Sequence, residues 1–186
     1  MSSISCLKCN HKSATFDNFM DLSIEIPRKA VKFTGQMNIN DCLKHYFSTE
    51  KMIDCGYKCA GCKKEVSIEK GMSIYRFPKI LCIHLKRFYH SMMRKEKISS
   101  TVSFPEHNLD MRPYAPGAKH ESVNNATYQL FGVSHHSGSL HGGHYIAEAK
   151  NVTTGKWYRC NDGHVSQISS PDINSTSAYV LFYIMQ

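Results

Sequence analysis

Hydrophobic and polar positions alternate over several short stretches of the chain, and each stretch predicts a strand with one buried face. The run from Thr15 to Ile26 alternates toward its end and stops at Pro27, a residue that cannot donate to a ladder. From Glu65 to His90 the pattern predicts strands broken at Phe77-Pro78, with Leu81, Ile83 and Leu85 on one face and Cys82, His84 and Lys86 on the other. On this reading His84 is a packed strand residue. Four more strands are expected at Tyr128 to Ser134, His144 to Lys150, Lys156 to Cys160 and Ala178 to Ile184, and the turn residues between most of them predict antiparallel hairpins. One segment has helical spacing instead: Ile39, Cys42, Leu43, Tyr46 and Phe47 form a stripe behind Asn38, a good N-cap residue. Between Ser91 and Asn125, Pro105, Pro113, Pro116 and Gly117 predict surface loops around short strands.

Composition sharpens this picture in three ways. With 186 residues, 41% apolar and 20% charged, the chain has the balance of a globular protein of one domain, and no linker or repeat divides it. The net charge of +8 is scattered, with short clusters at Lys86-Arg87 and Arg94-Lys95-Lys97, and the absence of a long basic run does not favour nucleic acid as a partner. No apolar run reaches membrane-spanning length, and the start MSSISCLKCN lacks the apolar core of a signal peptide, so the expectation is a cytoplasmic or nuclear protein with no membrane partner. The sequons at Asn125, Asn151 and Asn174 are then chance matches.

Four of the eight cysteines form two pairs, Cys6-Leu-Lys-Cys9 and Cys59-Ala-Gly-Cys62, separated by 49 residues. Each CxxC turn offers two thiolates to one metal, and four thiolates leave no open position for a catalytic water, so a structural Zn²⁺ held by hairpins from separate parts of the fold is predicted. Cys42, Cys55, Cys82 and Cys160 read as small buried residues, with Cys55 a spare metal ligand at most. Cys42 sits on the apolar helical stripe.

The stretch Ser137 to Lys150 presents His144 behind Gly142 and Gly143 at the start of a strand. A hairpin through Asn151 to Gly155 returns Asn161 or Asp162 to its level. Either side chain would bond one ring nitrogen and leave the other free to take a proton from a thiol, while glycines beside it let a substrate backbone approach. His135, His136 and His141 compete for the same role on these grounds. Cys160 adjoins Asn161 and so faces the opposite side of its strand.

Four strings carry a resemblance: Ile83-His84-Leu85-Lys86-Arg87-Phe88, Gly142-Gly143-His144-Tyr145-Ile146-Ala147, Trp157-Tyr158-Arg159-Cys160-Asn161-Asp162 and Ala178-Tyr179-Val180-Leu181-Phe182-Tyr183. In this order and with the two knuckles, they resemble the ubiquitin-specific protease family of cysteine deubiquitinases over nearly the whole chain. The resemblance implies an α+β fold made of the mainly antiparallel β palm and zinc-knuckle fingers of a papain-like cysteine peptidase. The fingers would span about residues 1–75 and the palm about 76–186 of a partial catalytic domain. It further implies that Cys6, Cys9, Cys59 and Cys62 bind structural Zn²⁺ at the tip of fingers that hold ubiquitin. His144 falls on the catalytic histidine, Asn161 on the third member of the triad and Asp162 on an assisting position. Gly142, Gly143 and Tyr145 fall on the channel for the Gly-Gly tail of ubiquitin, beside a mobile loop from Ser134 to Gly143.

Enzymes of that family begin with a cysteine box, an Asn-rich turn into the helix that carries the nucleophile, followed by a helical thumb. This chain starts downstream of where both would lie, so nucleophile and thumb are expected to be missing. The expected function is the C-terminal part of a deubiquitinase, hydrolysing ubiquitin thioester and isopeptide bonds only when a separate cysteine-box segment joins it, and inactive alone. A non-catalytic ubiquitin-binding module and a zinc-dependent nucleic-acid binder are the alternatives.

Overall fold

The computed structural model of the chain describes residues 1–27, 36–90, 95–139 and 142–186. Its strands are β1 (Ser2–Cys6), β2 (Lys12–Thr15), β3 (Leu22–Glu25), β4 (Gln36–Asn38), β5 (Glu50–Lys58), β6 (Glu65–Met72), β7 (Ile80–Lys86), β8 (Phe88–His90), β9 (Lys95–Lys97), β10 (Thr101–Ser103), β11 (Leu109–Asp110), β12 (Thr127–Gly138), β13 (Gly143–Lys150), β14 (Trp157–Asn161), β15 (His164–Ile168), β16 (Asn174–Ser175) and β17 (Ala178–Met185), with one α-helix, α1 (Ile39–Tyr46). β2-β1-β6-β5 form a four-stranded antiparallel sheet, and β15-β14-β13-β12-β17-β7-β3 form the spine of an eight-stranded one, in which β11 also pairs with β12. Among the described residues, only the β3–β7 and β4–β10 pairs are parallel. The architecture is therefore antiparallel-rich β with a single α-helix among the described residues.

The larger sheet buries one face. Leu81, Ile83 and Leu85 of β7, Leu130 and Val133 of β12, and Leu181 and Tyr183 of β17 point into one core, which α1 enters through Ile39, Cys42 and Leu43. The helix starts where the stripe and cap predict: Asn38 Oδ1 accepts from the Asp41 N–H at 2.9 Å. Cys82 and His84 lie half-buried on the other face of β7, where Ser23 Oγ bonds His84 Nδ1 at 3.0 Å and Tyr179 packs edge-on against the ring. His84 is thus a packed strand residue.

Arg87 departs from its reading as part of a basic surface cluster, because it is wholly buried. Its Nε donates to Ala178 O at 2.6 Å, one terminal nitrogen donates to Ile98 O and Ser100 O, both at 2.9 Å, and the other to Ser175 O at 3.1 Å. A guanidinium offers five donors and no acceptor, so a fan of main-chain carbonyls can satisfy it where a carboxylate is absent. Burial lowers its pKa to about 10, which still leaves it charged at neutral pH. Arg87→Met strips donors from four carbonyls at once and is expected to cost at least about 3 kcal/mol, read as a fall in the urea midpoint; Arg87→Lys is no substitute, since an ammonium cannot fan across four acceptors. Arg94, from the second basic cluster, lies outside the described residues.

Three further expectations change. The strand expected from Thr15 to Ile26 is confined to Leu22–Glu25, because Phe16, Phe19 and Met20 are exposed side chains on an unpaired segment. The loop expected from Ser134 to Gly143 is largely ladder: β12 runs to Gly138, which pairs with Gly143. Among the strands that no alternation predicts are β5 and β15, both edge strands with almost every side chain exposed.

Candidate active site and metal centre

The two CxxC turns are built alike. Cys6 ends β1 and Cys59 follows β5, and each donates its N–H five residues ahead, to His11 O at 2.9 Å and Lys64 O at 3.0 Å. Each turn closes on a left-handed residue just after the second cysteine, Asn10 at φ 57° and Lys63 at φ 59°. The N–H groups of Lys8 and Cys9 point at Cys6 Sγ at 3.4 Å, and that of Gly61 at Cys59 Sγ at 3.3 Å. A Cβ on Gly61 would sit 2.9 Å from His11 Cβ, so glycine lets the two turns close on one another.

As a result the four sulfurs of Cys6, Cys9, Cys59 and Cys62 lie within 4.8 Å of one another, with Cys9 and Cys59 3.6 Å apart. Tetrahedral thiolates at about 2.3 Å from zinc stand about 3.8 Å apart, so this donor set fits a zinc site. The electrostatics agree. N–H groups of Cys62 and Gly61 hold the Cys59 thiol down at about 6. Cys9, although the His11 N–H lowers it, is pushed up to about 11 by Cys6, desolvation, Cys59 and Cys62. One thiolate forms unaided here; four together need a cation. Cys55 is outside the cluster, its Sγ directed at Val66 O.

His144 is the second residue of β13 and sits opposite Ser137 of β12. Asn161 ends β14, just before the Asp162-Gly163 turn into β15. His144 Nε2 lies 2.5 Å from Asn161 Oδ1. The amide oxygen can only accept, so Nε2 carries the proton and Nδ1 keeps its lone pair. A ring held this way can take a proton at Nδ1 and return it. Between Asn161 and Asp162, both within reach of the hairpin, Asn161 makes the bond, while Asp162 is exposed in the turn at φ 50°.

The other histidines have different surroundings. His135 is buried, with Nδ1 3.0 Å from Ser177 Oγ. His136 is buried among Phe88, Tyr145 and Tyr179, and burial lowers its pKa. His141 lies outside the described residues. Tyr145 is on the face opposite His144, its ring 4.6 Å from that of His136. Gly142 has open space where a side chain would stand, but a Cβ on Gly143 would collide with His136 Nε2. Cys160 pairs with Ala147, on the face away from His144, and Cys42 is buried, its thiol pushed up to about 12.

The sequence pattern did not point to Glu148, which is buried one strand position beyond Ala147. Arg159 donates to its Oε1 at 2.6 Å and 3.1 Å, and the Asp172 N–H to its Oε2 at 2.8 Å. Burial alone would raise this carboxyl, but His135, the Asp172 N–H and Arg159 together hold it at about 2. The signal was present in outline, since a hairpin through residues 151–155 sets Glu148 and Arg159 opposite each other. A group whose pKa falls on folding stabilises above its unfolded value and loses that contribution as pH drops through the folded one. The stability gap between wild type and Glu148→Gln at pH 7 should therefore narrow between about pH 4 and pH 2, as read from urea midpoints.

Residues 1–183 match the model of the family described as ubiquitin carboxyl-terminal hydrolase. The chain belongs to that family. Among its relatives, ubiquitin carboxyl-terminal hydrolase 2 of Gallus gallus is 41% identical over 184 residues, covering 98% of this chain and 49% of the relative. The Homo sapiens protein of the same name is 39% identical, covering 98% of this chain and 29% of that one. Two solved structures superpose over 100% of the chain. One is a SAGA DUB module of Ubp8, Sgf11, Sus1 and Sgf73 bound to monoubiquitin, with TM-score 0.83, 31% identity and 39% of that chain covered. The other is the SAGA Ubp8/Sgf11/Sus1/Sgf73 DUB module bound to ubiquitin aldehyde, with TM-score 0.82, 31% identity and 40% covered. The chain thus spans half or less of the length of the family members it matches. No helix among the described residues is long and apolar enough to cross a membrane.

Proposed function

We propose that the chain forms the histidine-and-asparagine side of the active site of a ubiquitin-specific cysteine protease, and that the attacking thiol comes from a segment other than these residues. The observation that carries this reading is the bond from His144 Nε2 to Asn161 Oδ1 at 2.5 Å, which leaves Nδ1 as a base at the exposed start of β13. The placement of the remaining cysteines supports the second clause. Cys160 faces away, Cys42 is buried and undissociated, Cys82 is half-buried on β7 with its thiol pushed up by burial, Cys55 Sγ points at Val66 O, and the knuckle cysteines share one cluster.

On this reading His144 Nδ1 takes the proton of the incoming thiol, and the thiolate attacks the carbonyl carbon of ubiquitin's last glycine. The C–N bond breaks as the imidazolium passes its proton to the departing amine, which leaves a thioester. Water then gives a proton to Nδ1 and attacks the same carbon; the C–S bond breaks, and the proton returns to sulfur. Asn161 holds the ring in the tautomer both halves require, and Asp162 stands beside it, where its carboxylate can accept from a water. Gly142, with open space on its side-chain face, Gly143 and Tyr145 border the tail of ubiquitin. Zn²⁺ in the four-cysteine cluster would hold the finger tip in shape, and the cysteines do no chemistry. The ubiquitin-bound state of the Ubp8 structures supports ubiquitin as the partner. An ordered histidine–asparagine pair favours this enzyme reading over a non-catalytic ubiquitin-binding module or a zinc-dependent nucleic-acid binder.

Incubation with ubiquitin carrying a C-terminal electrophile tests it. The chain alone should stay unlabelled, and a mixture with a cysteine-box segment should be labelled at that segment's cysteine. Labelling of one of the chain's own cysteines would overturn the claim that the thiol is supplied from outside; failure of the mixture to bind ubiquitin at high micromolar concentration would overturn the substrate.

A further inference from the structure

Glu148 lies four residues beyond His144 on the same face of β13, but where the histidine is exposed Glu148 is only 1% exposed. Its carboxylate is tied to three segments. Oε1 accepts from Nε and Nη2 of Arg159 on β14; Oε2 accepts from the N–H of Asp172, before β16, and lies 3.3 Å from His135 Nε2 on β12.

The ladder between β13 and β14 runs from Lys150–Trp157 to Ala147–Cys160, so Glu148–Arg159 is its second pair from the open end. Past Ala147 the strands part. β13 stays with β12 as far as Gly138–Gly143, while β14 stays with β15 as far as Asn161–His164. His144 stands on one arm of this fork and Asn161 on the other, and their side-chain bond spans the opening. Two exposed groups hold such a bond weakly, because water competes for both. Sliding β13 by one residue against β14 would turn His144 to the opposite face.

We infer that Glu148 is a positioning residue: from the crotch of the fork its buried carboxylate fixes the register and separation of the two arms, and so keeps His144 and Asn161 in bonding geometry. This rests on the reading of His144 as the base. A slip or splay of the arms would leave Glu148 buried without its donors, a far heavier penalty than loss of the exposed pair. The carboxylate therefore sets the alignment, and the His144–Asn161 bond follows from it.

The test reads the His144 ring itself in the ¹⁵N-labelled full chain, using long-range ¹H–¹⁵N correlations that distinguish the two tautomers. Wild type should show the Nε2–H form. In Glu148→Gln and in Arg159→Gln the ratio of Nε2–H to Nδ1–H should fall roughly tenfold, the worth of one neutral hydrogen bond, as in the Asn161→Ala control. Arg159→Lys should recover part of it, and the amides of the cysteine turns should not move. Unchanged His144 ring signals in folded Glu148→Gln and Arg159→Gln would overturn the inference. Arg159, whose side chain is 47% exposed, carries the test if Glu148→Gln does not fold. In enzyme assembled with a cysteine-box segment, Arg159→Gln should lower kcat with KM unchanged. Because the ring readout needs no turnover, failure of the base role is scored separately, as undiminished hydrolysis by His144→Ala.

Discussion

Chelating the metal proposed for the four-cysteine cluster, or replacing Cys59 by serine, is expected to melt the four-stranded sheet while the eight-stranded sheet stays folded. The two sheets differ in what holds them. The larger shares a core of 26 buried residues, whereas the smaller has Cys6, Cys59, Val66 and Ile68 buried, with Ile4, Tyr57 and Cys62 partly so. Three of those seven are cysteines of the cluster itself. Removing the ion leaves four sulfurs that cannot all stay thiolates at this spacing, around two buried aliphatic side chains. Structural zinc supplies on the order of 10 kcal/mol to small zinc-finger peptides, more than this small core can replace. Hydrogen exchange should show amides of β1, β2, β5 and β6 losing nearly all protection on chelation, with β7, β12 and β17 unchanged. Equal loss in both sheets would mean that they unfold as one unit.

The second large effect concerns catalysis in enzyme assembled with a cysteine-box segment. His144→Gln should lower kcat for cleavage of a ubiquitin C-terminal amide by about 10² to 10⁴-fold, the range of a positioned general base. KM should hardly move, because the ring acts on the proton rather than on the body of ubiquitin. Asn161→Ala removes one hydrogen bond that fixes the tautomer, so a smaller fall of about tenfold is expected. The double variant should lose little more than His144→Gln, since Asn161 acts only through the ring. Steady-state kinetics with a fluorogenic ubiquitin amide measures all three; a His144→Gln enzyme with unreduced kcat would remove the histidine from the chemistry.

Much of the fold was legible wherever burial imposes a period. α1 begins at its Asn38 cap and buries Ile39, Cys42 and Leu43 of the expected stripe, with Tyr46 and Phe47 partly buried against the core; β7, β12 and β17 fall on runs where alternate residues face that core, and β13 and β14 fall on expected runs although Trp157 alone of their side chains lies in it. β5 and β15 were not legible, for the same reason in reverse: an edge strand with both faces in solvent has no hydrophobic period to display. Phe16, Phe19 and Met20 misled because an apolar side chain marks burial, and these are exposed. The cysteine turns could be read from spacing alone, since metal geometry demands it. In the histidine site, the length of the hairpin narrowed the partner to Asn161 or Asp162, and only the register of β13 on β14 separates them. Arg87 and Glu148 escaped because a charged residue in a strand is ordinarily read as a solvent-facing one; their burial depends on partners from segments distant in sequence.

The paired glycines ahead of His144 answer to two unrelated demands. Gly142 borders empty space, whereas the place of a methyl group on Gly143 is already taken by the imidazole of His136, itself wedged among Phe88, Tyr145 and Tyr179. In the mutational record of such a chain the two positions should drift differently. The first glycine answers to whatever passes through the space beside it, so a change of clientele could release it; the second answers to an aromatic cluster inside the protein, and no change of clientele would set it free.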